Sequence, residues 1–259
     1  MKKFLKKTSL FLVTAAMTVS APLMAWALEH DIVILHTNDI HCGINDNIGF
    51  AGLAQIKKDA LARTPNVALV DAGDAIQGAP IGKLSRGLAV VNIMNYLGYD
   101  FCIPGNHEFD YGMDRFLELV PLQRAGYYCA NFVYAGNNKQ VLPGYKIMQY
   151  EDTKVAFVGA STPESLTTST PTFFQNEKGQ YIYSFCEDKS GSKLYKQLQK
   201  NVDKARKDGA DYVFIVGHLG MDGTTPQWSS ESVAKNTQGV DAVIDGHSHE
   251  RFTRMVKNK

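Results

Sequence analysis

Short apolar runs, each cut off by glycine or by a knot of polar side chains, recur along this chain and alternate with stretches of helical spacing. Asp31-Ile32-Val33-Ile34-Leu35 and Asn66-Val67-Ala68-Leu69-Val70 read as buried strands, as does the run from Tyr99 to Ile103. Tyr127 to Asn131, Lys154 to Gly159, Asp211 to Val216 and Val240 to Ile244 have the same character. Between them, Leu53, Ile56, Ala60 and Leu61 recur at helical spacing within 50–63, and further helices are predicted over 88–97 and 113–119. Leu194, Leu198, Val202 and Ala205 mark one face of an amphipathic helix at 193–208, and a short helical stretch covers 230–236. Gly136-Asn137-Asn138 and Pro143-Gly144 are turn signals, so 135–150 reads as a loop with a hairpin. The Thr/Ser-rich stretch 164–191 carries no period and reads as an irregular surface excursion.

Strands alternating with helices along the whole length predict an α/β fold. No composition shift divides it, so residues 28–259 are expected to form one domain. In such folds ligands gather at the carboxyl ends of the strands, and the polar endings here are of one kind. They offer Asp39 and His41, then Asp74, then Asn106 and His107, then His218, then His247 and His249. Five of the seven histidines in the chain sit in these endings. Any one ending by itself would be an ordinary turn; packing would not concentrate imidazoles at five of them. Asp, His and one Asn without Cys suit divalent ions of intermediate hardness, such as zinc, manganese, iron or cobalt. The set exceeds what one tetrahedral ion needs, which points to two ions sharing a carboxylate.

Composition narrows the picture at the amino terminus. Lys2, Lys3, Lys6 and Lys7 precede the apolar run Leu10 to Ala21, and Ala25-Trp26-Ala27 is a small-residue cleavage site. Residues 1–27 therefore read as a secretory signal peptide cut before Leu28, which implies a periplasmic or secreted protein with no stable membrane anchor. Four of the 27 basic residues fall in that leader, leaving 23 against 26 acidic ones. That balance, with no basic stripe, argues against a nucleic-acid polymer as partner. Cys42, Cys102, Cys129 and Cys186 are too scattered for a disulfide framework and read as buried thiols, although one bridge stays open in an oxidising compartment.

In order and spacing, Asp39-x-His41, Gly73-Asp74, Gly105-Asn106-His107-Glu108, Gly217-His218 and Gly246-His247-x-His249 resemble the calcineurin-like metallophosphoesterases. The resemblance runs over residues 31–249. It is strongest to the N-terminal catalytic domain of the bacterial 5′-nucleotidase / UDP-sugar hydrolase branch. Thr37-Asn38-Asp39-Ile40-His41, Gly73-Asp74-Ala75-Ile76-Gln77-Gly78 and Asn95-Tyr96-Leu97-Gly98-Tyr99-Asp100 carry it, together with Gly105 to Asp110.

The resemblance implies a four-layer α/β/β/α sandwich of two mixed sheets. Asp39, His41 and His249 would bind one ion; Asn106, His218 and His247 the other; Asp74 would bridge them. Asn106 and His107 would face the phosphate, with Asp110 orienting the His107 ring. The implied activity is hydrolysis of small-molecule phosphate esters, 5′-nucleotides foremost, by metal-activated water. Cleavage of 2′,3′-cyclic nucleotides, UDP-sugars or thiosulfonates stays open within the branch, as does an exported metal-binding module without turnover. Nucleotidases of this branch continue past the last Gly-His-x-His into closing strands and a nucleoside-gripping C-terminal domain. The sequence here stops at Lys259, ten residues after His249. A truncated frame, lacking the last strands and the C-terminal nucleotide-binding domain, is the expectation.

Overall fold

A computed structural model describes residues 31–221 and 225–256, so the leader expected at 1–27 lies outside the described residues. Strands β1 (Val33–Thr37), β2 (Val67–Asp71) and β3 (Phe101–Cys102) form one sheet in that order. Helix α1 (Gly49–Leu61) joins the first two, and α2 (Pro80–Ser85) with α3 (Leu88–Leu97) joins the next pair. Every residue of β2 is buried, as both faces of an internal parallel strand must be. Helix α4 (Met113–Leu119) follows the turn after β3.

The second half begins with β4 (Val133–Tyr134), β5 (Tyr145–Tyr150) and β6 (Thr153–Ser161), followed by the single-turn α5 (Ser165–Thr168). Then come β7 (Tyr183–Ser184), α6 (Ser192–Lys207), β8 (Tyr212–His218), α7 (Ser230–Asn236) and β9 (Ala242–Ile244). Strands β5-β6-β8-β9 make a second sheet, and β4 pairs with β7 as a small antiparallel ribbon.

Three apolar layers hold these parts together. Phe50, Leu53, Val90, Val91, Met94 and Phe116 pack α1, α3 and α4 on the outer face of the first sheet. Between the sheets, Ala68, Val70 and Phe101 meet Val155, Phe157 and Val216. On the far side, Leu194, Leu198, Val202 and Ala205 of α6 cover Ala156, Val158, Val213 and Ile215. Each buried leucine or valine there contributes about 1.5–3 kcal/mol. The result is helix, sheet, sheet, helix: the four-layer sandwich.

Register fixes where the polar endings fall. Thr37 pairs with Asp71 and Asp71 with Cys102, while Ser161 pairs with His218 and Val216 with Ile244. The carboxyl ends of six parallel strands therefore finish level along one edge of the sandwich.

Four expectations need correction. Among the described residues the first sheet is parallel throughout, and only the second is mixed, through antiparallel β5. Tyr127 to Asn131 is no strand beyond one bridge to Cys102. Its N–H groups go in turn to Cys102, Pro143 and Gly159, because the segment crosses from one sheet to the other. Within 135–150, Tyr145–Tyr150 is a full strand pairing residue for residue with Thr153–Val158; Tyr145 and Ile147 face one core while Met148 and Tyr150 face the next. The stretch 164–191 is not merely a surface excursion, since Glu164 and Ser169 are buried and Phe174 and Phe185 lie in the core. All four cysteines are buried and unpaired.

Candidate metal centre

Three of the five strand endings, those after β1, β2 and β9, turn sharply. Asp39, His41, Cys42, Asp74, His247 and His249 all hold left-handed backbone, with φ between 46° and 81°, a conformation that costs energy for residues other than glycine and gathers at functional sites. Gly73 (φ 91°) and Gly105 make room for this. A Cβ on Gly105 would stand 2.2 Å from the Asp74 carboxylate, and one on Gly73 would stand 2.6 Å from the Gly105 amide.

A buried carboxylate fastens these two turns together. Glu108 accepts N–H bonds from Asp74 (2.7 Å), Ala75 (2.8 Å), Ile76 (3.3 Å) and Gly105 (2.6 Å). Asp71 works below it, accepting from Thr37 Oγ1 at 2.7 Å and from the Gly73 N–H at 3.2 Å; burial pushes its pKa up to about 7. Asp245 binds the Leu219 N–H at 2.8 Å and so ties the ending of β8 to that of β9; burial raises its pKa too.

On this frame the predicted ligands converge into two groups, Asp39 with His41 and His249, and Asp74 with His218 and His247. Within each group one donor atom per residue lies within 4.8 Å of the others. In the first, His41 Nε2 and His249 Nε2 face each other at 3.3 Å, and His249 Nε2 is 3.4 Å from Asp39 Oδ1. Backbone carbonyl Gln77 receives His41 Nδ1 at 3.1 Å. In the second, His218 Nε2 is 3.0 Å from Asp74 Oδ2 and 3.2 Å from Asn106 Oδ1, while its Nδ1 donates to the Ala72 carbonyl at 2.8 Å. The same Asp74 Oδ2 is 3.8 Å from His41 Nε2, so this carboxylate stands between the groups.

The donor set fits two divalent ions. Imidazole nitrogens from separate strands point at one another with carboxylate oxygens between them, and His41 and His218 each have the opposite nitrogen held by a backbone carbonyl, as metal-bound histidines characteristically do. The carboxylates also make this edge attractive to positive charge. Burial favours a neutral His218, yet Asp74 and Asp39 overcome it and hold its pKa up to about 10. Burial likewise opposes ionisation of Asp74, and the His218 and His107 rings outweigh it, leaving the carboxyl well below its ordinary range. His247, by contrast, is depressed by burial and then by His218.

Beside the groups stands His107. Its Nδ1 donates to Asp110 Oδ2 at 2.6 Å, and its backbone N–H donates to Asp74 Oδ1 at 2.8 Å. The Asp110 bond raises the His107 pKa against the opposing effect of burial. A third of the His107 side chain is exposed, which opens it to a ligand.

All nine predicted site residues thus share one edge. Sequence reasoning missed their supports. Glu108 was visible in the Gly-Asn-His-Glu run without a role; Asp71 and Asp245, each at a strand end, carried a faint signal. Glu164, whose Oε2 lies 3.4 Å from His247 Nε2, carried none, because it comes from the stretch without period.

Two sheets with level strand ends and a double Asp/His cluster define a scaffold that can hold two divalent ions at one sheet edge. The profile of the calcineurin-like phosphoesterases matches residues 32–251, and the chain belongs to that family. It is 29% identical to snake venom 5′-nucleotidase of Gloydius brevicauda over 93% of this chain and 40% of that protein. It is 30% identical to human 5′-nucleotidase over 91% and 41% respectively. The chain thus spans about two fifths of the length of these curated relatives. Among solved structures, the calcineurin-like phosphoesterase YfkN of Bacillus subtilis superposes with a TM-score of 0.73 at 25% identity, over 86% of this chain and 74% of that one.

Proposed function

We propose that this chain is an exported phosphohydrolase that cleaves small phosphate esters, foremost 5′-nucleotides to nucleoside and phosphate. The observation that carries the reading is Asp74, standing between two Asp/His clusters with the His107–Asp110 pair alongside. Asp39, His41 and His249 would hold one ion, Asn106, His218 and His247 the other, and Asp74 both. When bound, two such ions (zinc, manganese, iron or cobalt) supply positive charge for the phosphoryl oxygens and lower the pKa of water.

The chain's own residues do the rest. Asn106 and His107 would face a phosphoryl group held between the clusters. Asp110 accepts a hydrogen bond from His107 Nδ1–H and so fixes the ring; in the imidazolium form Nε2–H would then hand its proton to the departing alkoxide. The Asp110 bond raises the pKa of His107, which favours the protonated ring. Likeness to 5′-nucleotidases supports the nucleotide preference, and the leader-like pattern of residues 1–27 in the sequence supports export, to the periplasm or beyond. Among the described residues no helix is long and apolar enough to cross a membrane.

The test is hydrolysis of 4-nitrophenyl phosphate, bis(4-nitrophenyl) phosphate and AMP by purified chain loaded with manganese or zinc. Metal-dependent release of phosphate from the two monoesters supports the reading. Two bound ions with no turnover on any of the three would overturn it in favour of an inert metal-binding module.

A further inference from the structure

His107 is held by Asp110, and Asp110 is itself held by a residue from the aperiodic stretch. Ser169 Oγ donates to Asp110 Oδ1 at 3.0 Å, while Asp110 Oδ2 receives His107 Nδ1 at 2.6 Å. The two oxygens of one carboxylate are thus gripped from opposite sides. A carboxylate on a short side chain turns readily about its last torsion, whose energy profile is broad. Asp110 is about one fifth exposed, so water would compete for Oδ1 if nothing else bound it. With Oδ1 bound, the lone pair on Oδ2 stays aimed at the imidazole.

Ser169 is well placed for this task. It is 8% exposed and sits directly after α5 in extended backbone (φ −94°, ψ −165°). The segment that carries it is anchored on both sides. Upstream, the Thr162 N–H donates to the His218 carbonyl at 2.8 Å. Downstream, the Phe174 ring packs edge-on against Phe109 at 5.2 Å between centroids, and Phe109 lies between His107 and Asp110 in the chain. The core contact that seats the His107–Asp110 turn therefore seats the strap bearing Ser169 as well.

We infer that Ser169 is a positioning residue for the His107–Asp110 pair, holding the Asp110 carboxylate by its second oxygen so that His107 presents its proton to the leaving group. The inference rests on the role given to His107 above. It predicts a loss that depends on the leaving group. An alkoxide needs the proton, whereas 4-nitrophenolate departs without it.

The experiment compares Ser169→Ala, Ser169→Thr and His107→Ala in the purified chain, on glycerol 2-phosphate and on 4-nitrophenyl phosphate. General-acid assistance contributes about 10²–10⁴-fold, and losing the orientation of the acid should remove roughly tenfold of it. Ser169→Ala should therefore lower kcat on the alkyl ester about tenfold and on the aryl ester at most about threefold, with KM and bound metal unchanged. Ser169→Thr, which keeps a hydroxyl, should recover most of the loss. Without substrate, the downfield imidazole N–H proton resonance of His107 should shift or broaden in Ser169→Ala and persist in Ser169→Thr.

Equal losses on both esters, or an unmoved N–H resonance, would overturn the inference and leave Ser169 a structural residue. If His107→Ala abolishes alkyl ester hydrolysis while Ser169→Ala matches the parent chain, only the role of Ser169 falls. If His107→Ala leaves the alkyl ester reaction intact, the reading of His107 falls and takes this one with it.

Discussion

Glu108→Gln is the substitution whose effect can be worked most directly from the structure. The side chain is 1% exposed, and its two oxygens serve two donors each. Oε2 takes the Asp74 and Gly105 N–H groups at 2.7 and 2.6 Å, and Oε1 takes those of Ala75 and Ile76 at 2.8 and 3.3 Å. An amide keeps one oxygen and turns an NH₂ toward the other pair. Whichever way it flips, two buried N–H groups lose their acceptor and meet a donor. At about 1–3 kcal/mol for each unsatisfied group, the cost is about 2–6 kcal/mol. In a chain of this size that lowers the melting midpoint by about 2–4 °C per kcal/mol.

The loss has a functional side, because the same four bonds hold Asp74 against Gly105. Removing a group that orients a metal ligand typically weakens ion affinity by about 10–100-fold, and the same is expected here. Far-UV circular dichroism melts of the metal-free chain would read the first effect, and titration with manganese or zinc the second. A midpoint within about 2 °C of the parent, a shift worth less than about 1 kcal/mol, together with unchanged ion affinity, would refute the claim that this carboxylate builds the site.

His107→Ala should retain both ions yet lose about 10²–10⁴-fold in kcat on alkyl phosphates; elemental analysis showing lost metal would mean that the ring is a ligand instead. Asp74→Ala should reduce bound metal from two ions to at most one per chain, and retention of two would remove Asp74 from its place between the clusters. Exhaustive chelation should abolish hydrolysis. It should also withdraw the stabilisation of bound ions, about 2.7 kcal/mol for an ion at a hundred times its Kd, seen as a lower melting midpoint; an unchanged midpoint would count against a metal-filled centre. Gly105→Ala should abolish activity even in folded protein, since the new Cβ would collide with Asp74, and full activity would show that the turn can relax.

Much of this site is legible in the sequence. Buried runs such as Val67 to Val70 and the helical spacing of Leu194, Leu198 and Val202 are local signals, set by which faces must leave water, and they placed the main strands and helices. The polar endings were legible for the same reason: a strand that stops at Asp-x-His or Gly-Asn-His has no packing use for those groups. Where the reading failed, the decisive partner was remote. Tyr127 to Asn131 is apolar enough for a strand, yet its N–H groups are shared between β3, Pro143 and β6, which no local pattern reveals. The stretch 164–191 has no period because its buried residues answer to separate neighbours, Glu164 to His247 and Ser169 to Asp110.

The sequence by itself determined the chemistry on offer: oxygen and imidazole donors without thiolates, arranged at the ends of buried strands. Only the tertiary structure decided which donors meet. His41 and His249 lie 208 positions apart and stand 3.3 Å from each other, because the register of each sheet levels its strand ends and the apolar layer between the sheets presses the two edges together. That layer also fixes what the composition could not, that Asp74 falls between both clusters and that Glu108 lies beneath it. Side-chain type is a property of one residue, whereas ligand geometry is a property of distances across a packed core, and those exist only once the core has formed.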